Sequence, residues 1–168
     1  MGSASLLSPI PLMAKKINYT EGDCFAVPLR EGGFARGIVV RMDGKGIVFG
    51  YFFGPLIEDL NGIEVDNSLQ PGSEVLMGQF GDLGLLNGEW KIVGKILKWS
   101  REQWKMPPLV RWEVGDKNAF LSTYDDNSLE MVSEEAVSAA DIDLGNYPAD
   151  RLMGYGSVEI KLTKLLTE

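Results

Sequence analysis

"EGDCFAVPLREGGFARGIVV", residues 21–40, alternates in a way that decides the fold class. Successive side chains of an extended chain point to opposite faces, which puts Phe25, Val27 and Leu29 on one side and Cys24, Ala26 and Pro28 on the other. Pro28 has no N–H to give a ladder, so the first strand is expected to lie at a sheet edge or to leave the sheet there. The glycine turn "REGG" returns the chain along a second strand, Phe34 to Met42. "DGKG" (Asp43 to Gly46) then introduces "IVFGYFF" as a third strand, because Asp-Gly tolerates the positive φ angles of tight hairpins. A three-strand meander made by local connections results.

Outward from this meander, Asn61-Gly62, Pro71-Gly72 and Asn87-Gly88 mark further turns. Strands are expected in "EVLMGQF", "EWKIVGKIL", "LVRWEV" and "AFLSTY". Ser100 is positioned to cap a short helix, "REQWK", stopped by Pro107-Pro108, and Ser133 to cap another, "EEAVSAA". In "GSVEIKLTKLL" Val158, Ile160 and Leu162 alternate, whereas Val158, Leu162, Leu165 and Leu166 form a helical stripe; a terminal helix capped by Ser157 is preferred. The expected fold is mainly β (α+β): a strongly twisted antiparallel sheet or small barrel with one or two short helices.

The 168 residues suffice for one domain with a real core, here expected over residues 14–168. "MGSASLLSPIPLM" lacks a basic start and is short for a signal peptide, while "MAKKINY" from Met13 reads as a natural beginning. Residues 1–13 are therefore read as an expression remnant or disordered leader. No apolar run approaches the roughly 18 residues of a membrane span. A single cysteine excludes an internal disulfide framework and fits a reducing, cytoplasmic setting.

Histidine is absent, which removes the commonest general base and metal ligand and excludes serine–histidine and cysteine–histidine chemistry within the chain. Cys24 sits in a β pattern without an activating base and reads as scaffold. Neither a phosphate-binding loop nor a dinucleotide fingerprint occurs. No enzyme activity, cofactor or metal is expected.

The net charge of −8 is unevenly placed. Residues 1–112 balance 12 basic against 12 acidic side chains, whereas residues 113–150 carry 10 acids and only Lys117. Such a run is ordinarily a solvated surface, but it also suits recognition of a basic partner. The candidate contacts are Asp125, Asp126, Glu130, Glu134, Glu135, Asp141 and Asp143, with Trp112 and Tyr124 as aromatic anchors, because interface energy concentrates in such rings.

Other uses of these residues fit less well. Asp141 and Asp143 have the opening spacing of a calcium loop, but Gly145 falls where a ligand belongs and Asn146 where the turn glycine belongs. The neighbouring pairs Asp125–Asp126 and Glu134–Glu135 do not converge as a glycosidase pair would, since adjacent residues diverge on a strand or a helix. The alternative function is a nucleic-acid-binding β module that uses segment 90–112. There Trp90, Trp99, Trp104 and Trp112 alternate with lysines and arginines, a composition suited to base stacking in a basic groove. An acidic chain opposes phosphate at long range, which disfavours it.

The stretch 21–40 resembles the N-terminal signature of the immunity protein 26 family of bacterial polymorphic-toxin systems. The matching pieces are Gly22-Asp23, Phe25, Ala26, Val27, Pro28-Leu29, the glycine turn, Phe34, Ala35 and Gly37; "GYGSVEIKLTKLL" is similar to that family's closing segment. The resemblance implies a non-catalytic protein that binds and neutralises a cognate toxin. If that toxin is a nuclease, its cleft is basic and an acidic patch is suited to fill it.

Overall fold

The computed structural model describes residues 16–168, so the expected leader over residues 1–13 lies outside the described residues. Five strands follow the chain as a meander and its extension: β1 (Asp23–Pro28), β2 (Phe34–Met42), β3 (Ile47–Ile57), β4 (Leu76–Gly81) and β5 (Ile92–Lys95). A short helix α1 (Leu83–Leu86) lies between β4 and β5. Next come β6 (Leu109–Arg111), β7 (Asn118–Tyr124), β8 (Met131–Ser138), β9 (Leu152–Met153) and the closing helix α2 (Tyr155–Thr167).

Two sheets result, one of six strands in the order β5-β1-β2-β3-β4-β9 and one of three in the order β6-β7-β8. The larger is mixed, because β9 runs parallel to β4, and it stays open instead of closing into a barrel. Pro28 does not mark an edge strand, since β1 lies between β5 and β2. It pairs with Phe34 beyond the point where β5 stops contacting β1, so its missing N–H costs no ladder bond on that side.

Both faces of the large sheet are covered, which is why seven consecutive residues of β2 are buried without alternation. One face carries Phe25, Val27, Val39, Phe52, Phe80 and Trp90, packed against Val158 and Leu162 of α2. Phe25 stacks on Trp90 with ring centroids 5.5 Å apart and meets Phe52 edge-on at 5.9 Å. The opposite face places Cys24, Ile38, Phe49, Tyr51 and Phe53 under Trp104 and Leu109. Gly37 is required by this packing, because a Cβ there would sit 2.4 Å from the Phe25 ring.

Buried polar groups tie the layers together. Trp90 donates its indole N–H to Glu159 of α2 at 2.8 Å, and Arg30 pairs with the same carboxylate at 3.2 Å. The Arg36 guanidinium, 3 % exposed, donates to the carbonyls of Glu64 and Gly54 and to the Ser68 hydroxyl.

Three local expectations are corrected. Residues 134–140 form most of β8 and a following 3-10 turn, Ala139–Asp141, instead of a helix capped by Ser133. Hydrogen bonding to β7 outweighs the modest helix preference of "EEAVSAA". After Ser100 the chain makes a single turn, in which Glu102 N–H donates to the Ser100 hydroxyl and Trp104 N–H to the Ser100 carbonyl. That turn ends because the Trp104 ring is drawn into the core. The terminal helix does form, but Gly154 occupies its N-cap and Ser157 lies in its first turn.

Candidate functional site

The acidic segment builds the hairpin β7–β8. "AFLSTY" supplies β7, and Asp125 to Glu130 supply the turn. The Asp125 carboxylate accepts from the N–H groups of Ser128 (2.8 Å) and Asn127 (2.9 Å), an Asx arrangement that closes the loop. These bonds hold its carboxyl below the usual carboxylate range. Leu129 adopts φ 54° and is buried beneath the turn, so the left-handed backbone is held in place by packing.

Asp126 faces inward toward the large sheet. Arg41 of β2, 3 % exposed, donates from its Nε to the Asp126 carboxylate at 2.7 Å and from one terminal nitrogen to the carbonyls of Val40 (2.7 Å) and Trp104 (2.9 Å). One guanidinium thus joins β2, the 101–104 turn and the tip of the acidic hairpin. Nothing in the spacing of the sequence announced this role for Arg41.

Pairing of Ser122 with Glu134 and of Leu121 with Glu135 sends these two carboxylates to opposite faces of the small sheet. Glu134 meets Arg111 at 3.0 Å, and the Arg111 guanidinium lies 4.6 Å above the centre of the Phe120 ring. Glu130, Glu135 and Asp141 make no ion pair among the described residues and project into solvent. Asp143 accepts from Gly145 N–H at 3.0 Å and caps the 3-10 turn Leu144–Asn146, the local role expected of an N-cap aspartate.

The seven acids are therefore spread along one hairpin: Asp125, Asp126 and Glu130 at its tip, Glu134 and Glu135 along β8, Asp141 and Asp143 beyond its far end. At ~3.4 Å per residue, β8 alone extends about 27 Å. Two of the seven, Asp126 and Glu134, are engaged by the chain's own arginines. Neither adjacent pair converges: Asp125 and Asp126 bond to different elements, and Glu134 and Glu135 face apart.

The aromatic candidates separate in the same way. Trp112 is 37 % exposed, and its indole N–H donates to the Asp116 carbonyl at 2.9 Å. Tyr124 packs against the second core cluster and donates to Asp150 at 2.6 Å, and burial together with that bond pushes its phenol up to about 12. It serves the hairpin's attachment more than its surface. Trp90 and Trp104 are core residues and present no ring to a stacked base. Cys24 is fully buried, and burial pushes its thiol up to about 12, as befits an inert packing residue.

None of the nine candidate residues lines the cavity of about 400 Å³ that lies between β4, residues 145–153 and α2. Among the described residues no group of three or more Cys, Asp or Glu side chains converges to hold a metal ion, and no helix is long and apolar enough to cross a membrane.

β8 itself was hidden by the helical reading. Seven of its eight residues are exposed, including Met131 at 53 % and Val132 at 61 %. The signal that could have found it is "DDNS" after a β-patterned run, a hairpin turn that calls for a returning strand.

Among known proteins, the family model described as Immunity protein 26 matches residues 20–121, from just before β1 into the middle of β7. No curated protein and no solved structure matches the chain.

Proposed function

The chain belongs to the immunity protein 26 family, and from that premise we propose that it binds and neutralises a cognate bacterial toxin through the acidic outer hairpin of its three-stranded sheet. The observation that carries this reading is the set of solvent-exposed carboxylates, Glu130, Glu135 and Asp141, on and beside a strand exposed over nearly its whole length. Family membership suggests a protein that acts by binding and not by catalysis. A negative surface accelerates encounter with a positive one and selects against acidic competitors.

The toxin surface that fits is basic, as a nuclease cleft is, and its occlusion by the hairpin would exclude nucleic acid. Asp125 and Asp143 bond backbone N–H groups and make no ion pair among the described residues, so they add to the field. Asp126 and Glu134 contribute less, because Arg41 and Arg111 neutralise them. Trp112 is the aromatic contact at the rim. The proposed compartment is the cytoplasm, where a single buried thiol meets no oxidising demand.

The test is association with the toxin domain encoded by the adjacent gene. Combined reversal, Glu130→Lys with Glu135→Lys and Asp141→Lys, is expected to slow association at low salt by about 10-fold or more while the melting temperature stays near that of the parent. An unchanged association rate at low salt overturns this face as the binding surface.

A further inference from the structure

We infer that the toxin engages this protein by strand addition: a basic strand of the toxin pairs with the free edge of β8 and extends the three-stranded sheet. The inference rests on the toxin-binding reading and deepens it, because it specifies backbone groups where that reading specifies charge.

The phase of the ladder locates those groups. Ala139 N–H donates to the Lys117 carbonyl at 2.8 Å, just beyond the pair Asn118–Ser138. Alternate residues of an antiparallel pair turn their N–H and C=O to the partner and then away from it. Residues 133, 135 and 137 therefore bond to β7, while Glu134 and Ala136 direct their N–H and C=O outward. The other side of the sheet gives the same phase independently. Val110 of β6, opposite Leu121, turns away from β7, where it accepts from Asp150 N–H and donates to the Pro148 carbonyl, both at 2.8 Å. The β6 edge is thus covered by residues 148–150, whereas among the described residues nothing covers β8.

Charge decides the occupant. Two copies of this chain pairing β8 with β8 antiparallel through the outward groups of Glu134 and Ala136 would set Glu135 of one directly opposite Glu135 of the other, within a pair of molecules each carrying −8. Like charges placed directly opposite destabilise a ladder, and edge charges of this kind are how sheets avoid self-pairing. A strand with a lysine or arginine opposite Glu135 turns the same carboxylate into a cross-strand partner, while Glu134, on the other face, is already held by Arg111. Main-chain bonds then supply affinity and the side chains supply selection.

Amide hydrogen exchange resolved to single residues by NMR tests this, on the protein alone and with the adjacent-gene toxin domain. Exchange at Glu134 and Ala136 is expected to slow by about 10-fold or more on complex formation. A complex that leaves both amides exchanging at their free rate overturns strand addition while the toxin-binding reading stands. Absence of any complex overturns both. Protection that rises with protein concentration in the absence of toxin means a second copy occupies the edge, and overturns the inference.

A backbone variant gives a second readout. Ala136→Pro removes an outward N–H that β7 does not use, so the fold is retained, as circular dichroism checks. The complex is expected to dissociate about 10-fold faster or more, with its association rate and salt dependence little changed. Unaltered dissociation from a folded variant overturns the inference.

Discussion

The six-stranded sheet and the three-stranded sheet are built from similar alternating segments, yet they end in opposite states. β2 buries seven of its nine residues between α2 on one face and the Trp104 layer on the other, whereas β8 exposes seven of its eight. The larger sheet encloses two aromatic clusters; the smaller touches the core chiefly through Leu109 and Tyr124 and through the Arg41–Asp126 pair. On the proposed reading stability and recognition are separated: substitutions in one region should change folding, and substitutions in the other should change binding. The family match crosses this division: residues 20–121 hold the whole meander together with β6 and the first half of β7, and all seven candidate acids lie after its end.

The sharpest way to break that contrast is to truncate one large residue in each region. Trp90 is 1 % exposed, stacks on Phe25 and donates to Glu159, so Trp90→Ala is expected to cost about 3–5 kcal/mol. Val132 in β8 is 61 % exposed, and Val132→Ala should change stability by no more than about 0.5 kcal/mol. Urea denaturation measures both. A loss above about 1 kcal/mol at Val132 would mean that the hairpin is packed far more tightly than its exposure indicates.

The meander was legible because the signals that make it are local: alternation in 24–29, the β-branched run in 34–42, and glycine turns at Gly32, Gly33 and Gly44, each with positive φ. The hairpin was legible only in part. β7 showed its pattern, but β8 has almost no buried face, so no hydrophobic period marks it. Its strand conformation comes from β7's ladder groups, which lie outside the Ser-Glu-Glu signature that reads as a helix start. Likewise the acids were visible as a charge count, but the count did not say which would be held by the chain's own cations. Arg41 lies 85 residues before Asp126, and only the fold brings them to 2.7 Å.

That pair is the next test, because it is the joint between the two regions. Arg41→Ala leaves the carbonyls of Val40 and Trp104 without its N–H donors, at about 1–3 kcal/mol for each group left unsatisfied. Asp126→Ala removes a carboxylate that is half in water and leaves Arg41 its carbonyl partners, so a smaller loss of about 1–2 kcal/mol is expected. Both losses should appear in denaturation midpoints, and Asp126→Ala should leave toxin association at low salt close to the parent rate. A variant at Asp126 that keeps full stability but associates slowly would move that residue from the joint to the binding face.

The smallest expected effect is the acid limb of the stability curve. Glu21 accepts from both Arg101 and Trp99, and although burial opposes it, the Arg101 guanidinium holds its carboxyl below the usual range. A depressed native pKa means that the unfolded chain takes up the proton first, so this stabilisation is complete above the ordinary glutamate pKa of about 4.3 and is lost as the pH falls through the lower native value. Arg101 is 41 % exposed, which screens the pair and limits its share to about 1 kcal/mol or less. Urea titrations at pH 6 and pH 3 should therefore show the parent losing more stability than Glu21→Gln across that interval. Equal losses would mean that the acid limb arises elsewhere and that the turn at Trp99–Trp104 is held to the large sheet by its indole rings, without help from the Glu21 charge.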